Sequence, residues 1–221
     1  MQEQGVRVPL GNSCKAWFGL AQFYIPFPNN LDWSQIKELQ IVPRAGYFDA
    51  VWITSPEPKE KSELDLNKVL AIDHGLDNWL TCISNCSTSF IVDGKQLKAV
   101  NQWYNKRVAT IKENKEQAFW CRLLDLITSK RNRQVRDAVN KAARLVVTHC
   151  LEKQIGTIVF GWNKGQKQDS SLGKQNNQKF VQIPTAKLKT RIEQLCILYG
   201  IRFIETEESY TSQASNLDCD P

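Results

Sequence analysis

At 221 residues and 25.3 kDa the chain is long enough for one large domain or a domain with a smaller companion, which excludes a disulfide-stapled mini-fold. Its composition, 42% hydrophobic and 24% charged, is that of an ordinary globular protein, and no apolar run approaches the roughly 18 residues needed to cross a bilayer, so no membrane partner is expected. The net charge of +6 hides an uneven distribution: from Lys95 to Arg144 there are 13 basic residues against 4 acidic ones, and from Lys164 to Arg191 only Asp169 opposes the cations. From Glu205 onward Glu205, Glu207, Glu208, Asp218 and Asp220 meet no Lys or Arg in the segment. Two basic stretches followed by an acidic one fit a polyanion partner and a metal-binding corner, and they also fit solvated helix faces with an acidic terminus. The N-terminal residues lack the basic-then-apolar order of a secretory signal, and the 7 Cys are odd in number, so a reducing, cytoplasmic setting is expected.

In chain order, residues 6–55 alternate short apolar or aromatic runs with Pro, Gly and Asn-Asn, which predicts strands joined by turns. This β-rich region is placed at 1–58 and a charged, Pro-containing linker at 59–68. A mixed α/β domain follows over 69–221. Val69 to Ser84 gives two strands around a Gly-Leu-Asp-Asn turn, and Ser89 to Val92 a third before Asp93-Gly94. Lys95 to about Lys130 is helical in character. Arg136 to Gln154 continues it with apolar residues at three- and four-residue spacing, and Gly156 is expected to close the helix. Thr157 to Trp162 predicts a buried strand, and Asn163 to Phe180 a polar loop. Pro184 opens a helix over Ala186 to Leu198 that Gly200 ends, and Ile201 to Glu205 returns as a strand. A meander of three strands, helices, then strand, helix, strand is the order of an RNase H-like sheet, and other mixed α/β folds share it.

Asp73 stands at the end of the apolar run Val69 to Ile72 and ahead of His74-Gly75. A carboxylate held at a strand end suits Mg²⁺, which takes oxygen ligands and few carboxylates, and in two-metal phosphoryl transfer one acid can serve both ions. An Asp ahead of Gly is also an ordinary turn former. Glu207 and Glu208 follow the last strand; their side chains point to opposite faces if the chain stays extended, so at most one of them reaches an ion held by Asp73. His74 and His149 are too scattered for a His-based site. No Cys-x-x-Cys occurs, so zinc is not expected. Lys130, Arg131, Arg133, Arg136 and Lys141 on the helix, with Lys164, Lys167, Lys174 and Lys179 in the polar loop, are the candidate nucleic-acid contacts. Trp103, Tyr104, Phe119 and Trp120 beside cations are either stacking platforms or core.

The run Ala71-Ile72-Asp73-His74-Gly75-Leu76-Asp77-Asn78 resembles the first RuvC motif of TnpB-type proteins, the OrfB family of insertion-sequence transposases, and Glu207 to Gln213 resembles their signature before a zinc ribbon. Ile158 to Lys164, Gly173 to Gln178 and Phe180 to Pro184 are similar to one branch of that family, and Arg7 to Gly11 with Ile41 to Phe48 are similar to its β-barrel wedge region. The resemblance implies a small wedge (partial β-barrel) region ahead of an RNase H-like (RuvC) mixed sheet with a helical insertion. It also implies an RNA-guided, Mg²⁺-dependent DNA endonuclease related to type V CRISPR effectors, with DNA and a guide RNA as partners and Asp73 and Glu208, or Glu207, as catalytic and metal-binding acids. Three departures qualify it. Gly161 stands where most members carry the second acid. The Cys expected after Tyr210-Thr211-Ser212 is replaced by Ala214 or displaced to Cys219. The remainder of the zinc ribbon and the third acidic motif are not found before Pro221. The expectation is therefore a truncated chain with an incomplete two-metal site and weak or no cleavage alone. The alternatives are a non-catalytic nucleic-acid-binding module that regulates transposition, and a degenerate product without stable function.

Overall fold

A computed structural model describes residues 5–44, 46–55, 63–75, 77–162 and 183–207. The chain divides into two compact units, 1–57 and 58–221. In the first unit β1 (Gly5–Pro9) pairs antiparallel with β2 (Gln22–Pro26), and β3 (Ile36–Arg44) pairs antiparallel with β4 (Tyr47–Thr54). Between β1 and β2 lies a helix that the strand-and-turn reading did not foresee, α1 (Asn12–Phe18). Its seven residues carry too little apolar periodicity to announce it, and no residue of it is buried. Gly19 closes it in the left-handed region at φ 64°, donating its N–H to the Lys15 carbonyl. Phe27 packs against Trp33 and Trp52 at ring distances of 5.4 and 5.5 Å, which ties the end of β2 to β4.

The second unit is a five-stranded mixed sheet with helices packed on one face. Its strands are β5 (Asp65–His74), β6 (Asn78–Ser84), β7 (Ser89–Asp93), β8 (Ile155–Gly161) and β9 (Arg202–Thr206). They run in the order β7-β6-β5-β8-β9, the first three antiparallel and the last three parallel. β5 begins at Asp65, inside the stretch assigned to the linker. The helices α2 (Lys95–Lys112) and α3 (Arg122–Glu152) connect β7 to β8, and α4 (Thr185–Tyr199) precedes β9.

Alternation along the strands decides which face is covered. Leu70, Ile72, Leu80, Cys82, Ile158 and Phe160 are at most 2% exposed and meet Ala143, Val146, Val147 and Cys150 of α3 with Leu188, Ile192 and Cys196 of α4. The intervening residues Ala71, Asp73, Ile83 and Ile91 are exposed on the other face.

The helical stretch is interrupted where the sequence reading ran it on: residues 113–121 separate α2 from α3, and Asn114 takes a positive φ of 55°. The 31-residue α3 then runs unbroken through Lys130 to Glu152. Gly156 does not close it. Gln154 adopts the left-handed conformation at φ 57°, while Gly156 sits inside β8, where an added Cβ would lie 2.6 Å from the Asp65 carbonyl oxygen. Gly156 is there for close strand approach rather than for helix termination. Gly200 does end α4, at φ 72°.

Candidate functional site

Three parallel strands, β5, β8 and β9, end side by side, and their ends carry the candidate chemistry. Asp73 is the penultimate residue of β5 and lies on the open face, opposite Thr81 of β6. On the other side Phe160 pairs with Ile72, so the next residue, Gly161, stands beside Asp73, and Gly161 pairs in turn with Thr206. The row Thr81, Asp73, Gly161, Thr206 therefore crosses the sheet on one face. The Asp73 side chain is exposed, and no ion pair or side-chain hydrogen bond from the described residues engages it. It is not the turn-forming Asp of the alternative reading. It is in strand pairing with Thr81, and beyond it the Gly75 N–H donates to the Trp79 carbonyl.

Glu207 follows β9 directly and is exposed; Glu208 lies outside the described residues. Among the described residues no cluster of three or more His, Cys, Asp or Glu side chains forms. Gly161, where the resemblance calls for an acid, brings no oxygen ligand from its side chain to Asp73.

Beneath the strand ends, on the covered face, lies a layer that the sequence did not reveal. His74 packs against Trp162 and Phe160 at ring distances of 5.4 and 6.2 Å. Lys189 of α4 lies 5.0 Å from the Trp162 ring and forms an ion pair with Glu205 of β9. Glu205, counted with the cation-free acidic run, is thus matched across space by Lys189. The Trp162 N–H also donates to the Thr206 carbonyl at 2.8 Å. These contacts fix the ends of β8 and β9 behind the open face. Strand phase, which puts His74, Trp162 and Glu205 on the covered face, is the one signal that could have suggested this layer, and it says nothing of Lys189.

The cationic helix is α3. Lys130, Arg133, Arg136 and Lys141, the candidate nucleic-acid contacts, are exposed on it. Arg131 is different: its Nε donates to the Asn101 side chain at 2.8 Å and its guanidinium lies 5.6 Å from the Tyr104 ring, so it fastens α3 to α2. Lys130 lies over Trp103 at 5.6 Å, and Lys112 over Trp120 at 5.4 Å. Trp103 and Trp120 are 42% and 50% exposed, which leaves ring area at the surface, whereas Tyr104 is partly buried and bonds Thr128 through its hydroxyl. Lys164, Lys167, Lys174 and Lys179 lie outside the described residues. No described helix is long and apolar enough to cross a membrane.

Comparisons with known proteins bear on this arrangement. The family model OrfB_IS605, described as "Probable transposase", matches residues 53–167. The fold is similar to that of a protein solved by cryo-electron microscopy in a Cas12f1–sgRNA–target DNA complex, with TM-score 0.50 and 16% identity over 79% of this chain and 43% of that one. It is similar also to a chain of a CRISPR-Cas12f ternary complex, with TM-score 0.53 and 18% identity over 75% of this chain and 33% of that one. The present chain spans less than half the length of either. No curated protein matches it.

Proposed function

Because the chain belongs to the OrfB_IS605 family, whose model covers residues 53–167, we propose that it is a TnpB-type, RNA-guided DNA endonuclease of RNase H-like (RuvC) architecture that uses Mg²⁺. The observation that carries the reading is the position of Asp73: an exposed carboxylate at the end of a central strand, beside the ends of two parallel strands and, among the described residues, without a cation paired to it. The strand order β7-β6-β5-β8-β9 supports it: an antiparallel three-stranded meander is continued by two parallel strands reached through helices, as the resemblance implies.

The donor set fits a hard cation in part. Mg²⁺ keeps several waters and is commonly held by one or two carboxylates with substrate phosphates completing the shell. Asp73 would supply the first. Glu208, or Glu207 beside it, would supply the second, as the resemblance implies. When bound, the ion would polarise the scissile phosphate and lower the pKa of a bound water. The protein's own part is to hold the strand ends rigid through His74, Trp162, Lys189 and Glu205, and to draw the nucleic-acid backbone in with the cations of α3. One of the proteins of similar fold was solved with sgRNA and target DNA, which supports nucleic acid as the partner class here.

One observation favours the second reading, a nucleic-acid-binding module that regulates transposition without cutting: Gly161 leaves Asp73 without an acid on the neighbouring strand. The test is cleavage of labelled duplex DNA by the chain purified with RNA expressed from its flanking sequence, with Mg²⁺ or EDTA. Mg²⁺-dependent nicking that Asp73→Ala and Glu208→Gln each reduce at least 100-fold, with DNA affinity unchanged, supports the endonuclease. Binding without nicking in the wild-type chain supports the module and refutes the endonuclease.

A further inference from the structure

A groove of about 490 Å³ lies between α3 and α4, on the helical layer and so on the side of the sheet away from Asp73. Its polar lining comes from Asn140, Lys141 and Arg144 of α3 and from Arg191 and Tyr199 of α4. The spacing is that of two facing helix stripes: Asn140 and Arg144 are one turn apart, and Arg191, Leu195, Leu198 and Tyr199 recur at i, i+4, i+7 and i+8. Three cations line this space, and no described acidic side chain does.

Two of the cations are prepared for a ligand. The Arg144 guanidinium lies 5.5 Å from the Tyr199 ring and donates from Nη1 to the Tyr199 hydroxyl at 2.5 Å, which sets its plane. The Nε of Arg191 is buried with no hydrogen-bond partner among the described residues, while its Nη1 donates to Gln194 at 3.1 Å. Arg191 lines the groove, and a guanidinium carries five N–H donors, so those not given to Gln194 or buried at Nε can serve an oxyanion there. Lys141 is engaged only with Asp137, one turn away and exposed, a pair of little energy that a phosphate can displace.

We propose that this groove binds a backbone phosphate of a nucleic-acid strand, held by Arg144, Arg191 and Lys141, as a site separate from the strand ends. A guanidinium can present two N–H donors to one phosphate, and Leu195 and Leu198, which also line the groove, offer apolar surface to a sugar edge. The site needs no metal and does not depend on the endonuclease reading.

The test is fluorescence anisotropy of the full chain with labelled 20-nucleotide single-stranded RNA, single-stranded DNA and duplex DNA at 50 to 200 mM salt. Arg144→Gln with Arg191→Gln is expected to weaken binding of at least one probe about 10-fold at 100 mM salt and to reduce the salt slope by about 1. The probe most affected identifies the strand. Asn140→Asp, which places a carboxylate in the groove from an exposed helix position, is expected to act in the same direction and covers the case in which the double variant does not fold. Affinities and slopes within twofold of wild type in the folded variants, for all three probes, would overturn the proposal.

Discussion

Four thiols of the second unit differ sharply in their ionisation, and the difference is set by what surrounds each sulfur. Burial pushes Cys82, Cys150 and Cys196 up to about 12, with neighbouring thiols and, for Cys196, Glu193 adding to it. Cys86 moves the other way, because the Ser84 hydroxyl 3.1 Å away stabilises its thiolate. Iodoacetamide at pH 8 is therefore expected to modify Cys86 well before Cys82, Cys150 or Cys196, as read by peptide mass spectrometry. The raised thiols also make stability depend on pH. In the unfolded chain they ionise near 9, so above that pH the unfolded state holds fewer protons than the native one, and stability falls as pH rises from 9 toward 12. A urea midpoint for the second unit that drops between pH 8 and pH 10.5, less steeply in Cys196→Ala, is the expected outcome; equal slopes in the two proteins would contradict it.

At the same scale Asp73 was legible because an apolar run ending in Asp and followed by Gly constrains where the carboxylate sits. Lys189 with Glu205, and Arg131 with Asn101, were not legible. Their partners are 16 and 30 residues apart and meet only through packing.

Among the elements, β5 and β8 approach closely at Gly156. A Cβ there would stand 2.6 Å from the Asp65 oxygen, 2.7 Å from its carbonyl carbon and 2.8 Å from the Leu66 nitrogen, all backbone atoms that cannot rotate away. Gly156→Ala is expected to destabilise the second unit by roughly 1–3 kcal/mol, the usual cost of forcing extra volume into a packed site, measured by denaturant unfolding. A midpoint equal to wild type would show that the two strands separate freely. Gly156 also marks a limit of sequence reading: a Gly after a long amphipathic helix is a natural terminator, and only the pairing of Asp65 with Ile155 reveals its other use. The strands β5 to β9 and the helix α4 were legible from apolar runs, turn residues and Pro184 with Gly200. The helix α1 was not, since nothing on it is buried, and the break at 113–121 falls in a charged stretch where periodicity gives no signal.

For the second unit as a whole, the one-sided sheet is the feature with functional weight. Helices cover the face of Leu70, Ile72, Ile158 and Phe160, and the face that carries Asp73 presents Ala71, Ile83 and Ile91, the last two 59% and 58% exposed. The acid is thus accessible, at the end of the parallel strands, while the cationic groove lies on the opposite layer. On this account a divalent ion belongs at the row of Asp73, Gly161 and Thr206 and nowhere on α3. The direct measurement is paramagnetic broadening of backbone amide resonances by substoichiometric Mn²⁺. Selective loss of the Asp73, Gly161 and Thr206 signals, reversed by excess Mg²⁺ and abolished in Asp73→Ala, is the expected result. Broadening that is confined to other residues, or that persists unchanged in Asp73→Ala, would contradict the account.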